Sequence, residues 1–165
     1  MEHKSFASMN CSIARALDQV GERWTLLIVR ECVLGTSRFD EFQKRLGIAR
    51  NILTNRLARM VEDGILERSP VADEARMEYR LTAKGEELLP ILTALLQWGD
   101  KWACSPNGPP VKYVEASSGK ALPRLGSRPG STRLLRPHEL RIDAGPGASP
   151  ETVEFLARRR RTLRQ

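Results

Sequence analysis

Arg50, Asn51, Thr54, Asn55, Arg56 and Arg59 are side chains able to bond a nucleic acid, and they fall within ten consecutive residues. Between them Ile52, Leu53, Leu57, Met60 and Val61, with Ile48 just ahead, recur every three or four positions, the spacing of a helix with one apolar face. At the N-terminal end of such a helix Arg can bond guanine bidentately and Asn can bond adenine. That makes Arg50, Asn51, Thr54 and Asn55 candidates for base edges. Arg56 and Arg59, farther along, suit phosphates, and Arg38 and Lys44 upstream would add contacts that position without specifying. Residues 38–59 hold six basic side chains, Arg45 being the sixth, against the acids Asp40 and Glu41, so the patch is locally cationic. The competing reading is an ordinary solvated helix face, with Arg56 paired to Glu62 or Asp63.

The elements that would position this face can be read on either side of it. "SIARALDQVG" places Ile13, Ala16, Leu17 and Val20 on one side of a first helix, with Ser12 as its cap and Gly21 as its stop. "ERWTLLIVRECVLG" is apolar nearly all round, as expected of a central helix packed on several sides and ended by Gly35. "SRFDEFQKRLG" aligns Phe39, Phe42 and Leu46, closes at Gly47 and leads at once into the cationic helix, which makes a helix-turn-helix. "ILERSPV" and "MEYRLT" then read as two strands around the loop "ADEAR". Helix, turn, helix and hairpin predict a winged helix, mainly α with a small β-hairpin wing. Arg76 in that loop is placed to reach a minor groove or a flanking phosphate, against the repulsion of Asp73 and Glu74. Thr82 should cap a last helix bent at Pro90, whose stripe of Leu88, Ile91, Leu92, Leu95, Trp98 and Trp102 is too apolar for a solvent face.

Composition limits the alternatives. The 165 residues suffice for one domain with a core and a small appendix. The net charge of +7 lies entirely in the second part: residues 1–104 carry 15 basic and 15 acidic side chains, residues 105–165 carry 12 and 5. Neither an apolar leader nor a membrane-length run is present, which predicts a cytoplasmic protein. Cys11, Cys32 and Cys104 form no CxxC pair and should be thiols, with Cys32 in the core. Only His3 and His138 occur, neither in a metal-ligand or nucleophile spacing, and no glycine-rich phosphate loop follows a strand. The expectation is a binding protein, not an enzyme, with no metal and no cofactor.

The region 11–102, and above all "RWTLLI", "RFDEFQ", "LTNRLARMVEDGIL" and "YRLTAKG" in combination, resembles the HxlR-type winged-helix regulators of bacteria. The resemblance implies a homodimeric transcription regulator on double-stranded DNA. Its first and last helices would form the dimer interface, here Ile13, Leu17, Leu88, Leu92, Leu95 and Trp102. Its third and fourth helices would form the helix-turn-helix and its hairpin the wing. Repression is the commoner mode in that family, and the operator should be near-palindromic. In some members a cysteine at the place of Cys11 senses oxidants or electrophiles and links subunits. A helix start favours a reactive thiolate there, whereas the plainer reading is a small residue packed at the dimer seam.

Residues 1–104 are therefore expected to be the DNA-binding and dimerisation domain, and 105–165 a basic extension. Within the extension "VKYVEASSGKALPRL" reads as a hairpin turning at Ser118 and Gly119, "TRLLRPHELRI" as a further strand, and Ser149 with Pro150 as the start of a helix ending in "RRRR". The extension's charge would strengthen DNA binding nonspecifically or only keep it dissolved. From a different class, the alternative is a winged helix serving as a protein-interaction module, its fourth helix docking a partner in place of a groove.

Overall fold

The apolar stripes of four helices and one hairpin close over a shared core in the computed structural model, which describes residues 5–70, 77–103, 106, 108–126 and 143–162. In chain order the elements are α1 (Ser12–Val20), α2 (Thr25–Val33), α3 (Phe39–Leu46), α4 (Arg50–Glu62), β1 (Leu66–Pro70), β2 (Met77–Leu81), α5 (Ala83–Glu86), α6 (Leu89–Trp102) and α7 (Pro150–Thr162). Ile28 and Val29 of α2, Phe42 of α3, Leu53, Leu57 and Met60 of α4, and Ile65 and Leu66 at the hairpin's start are at most 1% exposed. Burying a side chain of this size is worth about 1.5–3 kcal/mol, so these residues hold the helix-turn-helix against the wing.

Local chemistry sets the joints. Gly47 takes φ 62°, a left-handed value that a Cβ would disfavour, and closes α3. Ile48, 3% exposed, fills the core from the turn, and α4 begins two residues later. The strands pair antiparallel with Leu66 opposite Leu81, Arg68 opposite Tyr79 and Pro70 opposite Met77. The Tyr79 N–H donates to the Ser37 carbonyl at 2.8 Å, Arg38 bridges to Glu78, and the rings of Phe42 and Tyr79 meet edge to face at 6.4 Å. The wing is thereby pinned to α3.

Several sequence expectations change here. Cys11, not Ser12, is the N-cap of α1, and no side chain caps that end. Thr82 caps only the four-residue α5, its hydroxyl accepting from the Gly85 N–H at 3.2 Å. Gly85 lies so close to the hairpin that a Cβ there would sit 2.3 Å from the Ile65 carbonyl oxygen. Pro90 then falls in the first turn of a separate α6, so it starts a helix and does not bend one. The central helix α2 is packed on several sides, as expected, through Thr25, Ile28, Val29 and Glu31, and only its C-terminal end leaves Val33 and Leu34 exposed.

The extension runs back over the helices. The Glu115 N–H donates to the Lys120 carbonyl and the Leu122 N–H to the Tyr113 carbonyl around a turn at Gly119, which forms the expected hairpin with a bridge between Val114 and Ala121. The Gln97 side chain of α6 holds it, donating to the Pro123 carbonyl at 2.9 Å and accepting from the Leu125 N–H at 3.1 Å. Asn10, just before α1, accepts from the Ser149 N–H and the Thr152 hydroxyl and donates to the Gly147 carbonyl, fixing the start of α7. The wing-tip loop with Arg76, Cys104, the expected strand in 132–142 and the side chains of the four consecutive arginines fall outside the described residues.

Candidate nucleic-acid interface

α4 turns Leu53, Leu57 and Met60 into the core, which leaves Asn51, Thr54 and Asn55 on its outer face. Arg50 opens the helix beside them, its guanidinium 4.9 Å from the centre of the Phe39 ring. A cation in a first turn faces the unfavourable end of the helix dipole, and the ring offsets part of that cost. Ala49, the N-cap, has no side-chain acceptor to offer the first-turn N–H groups. This end of α4 thus presents backbone donors, an arginine and two amides in one place, the complement of phosphate oxygens and base edges. Thr54 is partly committed, its hydroxyl donating to the Arg50 carbonyl at 2.9 Å.

The arginines farther along α4 have protein partners. Arg56 reaches Glu22 between α1 and α2 at 2.8 Å, with 17% of its side chain exposed. Its expected neighbours Glu62 and Asp63 belong instead to Arg59, at 3.4 and 3.2 Å. The reason is helical phase: Arg56 lies on the flank of α4 that meets the α1–α2 turn, whereas Glu62 and Asp63 fall one turn beyond Arg59 on its own face. Arg38 leans toward the wing, 3.7 Å from Glu78, and Lys44 stands exposed on α3. In Glu78 the hydrogen bond from Arg80, with Arg38 beside it, holds the carboxyl below its ordinary value.

Two features escaped the sequence reading. Arg68 on β1 lies 5.9 Å from the Tyr79 ring and shares a notch with Phe39 and Arg50, which extends the cationic surface from α4 to the wing. The register that sets Arg68 opposite Tyr79 was the available signal. Glu31, inside a helix that reads as apolar nearly all round, is 2% exposed and bonds Arg30, Arg45 and, at 3.5 Å, the Thr36 hydroxyl. Burial pushes its carboxyl up, but Arg45 and Arg30 outweigh burial and hold it below its ordinary value. It ties α2 to α3, the first helix of the helix-turn-helix.

The cysteines differ in setting. Cys32 is partly buried, and burial, with Glu31 adding to it, pushes its thiol up to about 12, where it stays protonated. Cys11 is exposed. Two apolar helix faces stay open: Ile13 and Leu17 on α1, the helix that Cys11 caps, are 73% and 50% exposed, and Leu95, Trp98 and Trp102 on α6 49%, 62% and 66%. Leu92 is buried and Leu88 packs against the core, so those two face inward within the protomer. Among the described residues no helix is long and apolar enough to cross a membrane.

Residues 19–107 match the model of the HxlR-like helix-turn-helix family. An HTH-type transcriptional regulator of Mycobacterium tuberculosis, Rv3095, itself described as uncharacterised, is 47% identical over 69% of this chain and 73% of its own length. The crystal structure of PA1607, described as a candidate transcription factor, superposes with a TM-score of 0.76 and 41% identity over 86% of this chain and all of that one. The redox regulator HypR in its reduced form aligns with a TM-score of 0.50 at 30% identity, over 54% of this chain and 90% of its own. With its two-helix reading head, its wing and these relatives, the chain belongs to the HxlR-like helix-turn-helix family of DNA-binding transcription regulators.

Proposed function

We propose that the protein is a homodimeric repressor that reads a near-palindromic operator by placing α4 of each protomer in successive major grooves. The observation that carries this reading is the start of α4, where Arg50, Asn51, Thr54 and Asn55 are gathered at an exposed helix end whose opposite face is locked in the core. Arg38, Lys44 and Arg68 flank that end and suit phosphates, while Arg56 and Arg59 serve first to brace α4. Residues 1–104 are the DNA-binding and dimerisation unit, and 105–165 a basic extension that adds charge attraction to any duplex. The apolar faces of α1 and α6, with Ile13, Leu17, Ile91, Leu95, Trp98 and Trp102 uncovered, are the dimer surface, since a monomer would leave them wet. Cys11 lies at one end of that surface, where an oxidant would reach it. HypR, a neighbour described as a redox regulator, supports the same assignment.

Selection of binding sites from random duplexes, followed by gel shifts of the selected sequence against unselected DNA, tests the proposal. The expected result is an inverted repeat with half-sites about 34 Å apart, one helical turn. Equal affinity for selected and random DNA overturns it and leaves α4 as a docking face for another protein.

A further inference from the structure

A cleft of about 700 Å³ lies between the α2–α3 pair and the first strand of the extension's hairpin. Small-molecule sites commonly run from roughly 300 to 1,000 Å³, so the space suits a ligand smaller than a peptide. Arg30 and Arg45 line one side and Lys112 the other, against one carboxylate, that of Glu31. Glu31 is buried and already spent on both arginines, so a ligand entering from solvent meets net positive charge. Its bonds occupy Nε and Nη2 of Arg30 and Nε of Arg45. The two side chains are nonetheless 40% and 50% exposed and both line the cleft, and each guanidinium keeps N–H groups beyond those bonded to Glu31. The rest of the lining is apolar or aromatic: Leu34, Pro110, Val111 and Tyr113. Leu34 and Val111 are 55% and 49% exposed, an apolar surface left uncovered beside three cations.

We propose that this cleft binds a small organic anion, a carboxylate carried on an aromatic or branched apolar body. The carboxylate would bridge the free edges of Arg30 and Arg45 or meet Lys112, and the body would cover Leu34, Val111 and Tyr113. A phosphate alone would leave the apolar half of the lining wet. A neutral apolar molecule would bury the guanidinium groups without a partner. Because one wall belongs to α3, the first helix of the reading head, and the other to the extension, an occupied cleft ties the two together. Its effect on operator affinity rests on the DNA-binding reading above; ligand binding itself does not.

Titration calorimetry of the full chain with 2-naphthoate, and with its neutral counterpart 2-naphthamide, tests the site. Saturable binding of one naphthoate per protomer is expected, with a Kd below about 1 mM and at least about tenfold weaker binding of the amide. Lys112→Glu and Val111→Asp, both at exposed positions, should each weaken naphthoate by about tenfold, while Glu87→Gln, exposed just past α5 and outside the cleft lining, should leave it unchanged. Absence of saturation, equal binding of acid and amide, indifference to both cleft substitutions, or loss on Glu87→Gln overturns the site. Gel shifts with and without naphthoate then read the consequence separately. Unchanged operator affinity with intact naphthoate binding overturns only the coupling, and absence of DNA binding altogether overturns the functional reading while calorimetry still judges the cleft.

Discussion

Arg50 and Asn51 are the residues whose loss should change sequence preference. Both stand at the start of α4 free to meet base edges, so Arg50→Ala or Asn51→Ala should cost about 1–3 kcal/mol on the operator and relax preference at one position per half-site. Random DNA should bind nearly as before, a contrast that competition gel shifts measure. Glu31 belongs to stability. Its folded pKa lies below the unfolded value of 4.5, so the folded state binds fewer protons than the unfolded one, and its contribution is complete above that value and drains as pH falls through the folded one. Glu31→Gln should therefore lose about 2–3 kcal/mol near pH 7, as expected when buried bonds between charged groups go. It should also show a shallower fall in urea-unfolding midpoint as the pH drops below about 4.5. Cys11 is the third case. If it responds to oxidants, diamide should weaken operator binding or link subunits on non-reducing gels in the wild type and not in Cys11→Ser; unchanged affinity in both would leave Cys11 a packing residue.

At the scale of the element, α6 is where the sequence misled. Its stripe was legible from Leu88 to Trp102, but period alone did not say which edge of a broad stripe faces inward. The structure turns Leu92 into the core and keeps Leu95, Trp98 and Trp102 outside. A charge at Leu92 would consequently unfold the protomer and say nothing about assembly. Leu95→Glu with Trp98→Glu is the informative pair: sedimentation should shift from dimer to monomer with the circular dichroism of the helices retained. A dimer that survives both changes would move the interface elsewhere. Pro90 was misplaced because proline looks alike in a helix interior and in a first turn; only the break between α5 and α6 distinguishes them. The helix-turn-helix, by contrast, was legible residue by residue, since Phe42, Leu53 and Leu57 recur at helical spacing on both sides of a glycine that must be left-handed.

For the whole molecule the question is what the extension adds to a neutral first part. Its hairpin is held to α6 by Gln97 and its helix to the start of α1 by Asn10, so its charge travels with the reading head. Removing residues 158–165, which include the four consecutive arginines, should weaken operator and random DNA alike and flatten the salt dependence by about one unit of slope for each phosphate no longer neutralised. An unchanged slope would assign the arginines to solubility.

The sequence by itself determined the secondary structure of the reading head, its turn, its wing and the residue types that α4 offers a duplex. These follow from local periodicity and backbone preference, which act within a few residues. Tertiary structure alone decided that Arg56 pairs with Glu22, that Glu31 is buried between two arginines, that Leu92 faces inward, and that the extension closes a cationic cleft against α2 and α3. Each depends on which surfaces meet after the helices pack, and burial and ion pairing are properties of neighbours far apart in the chain.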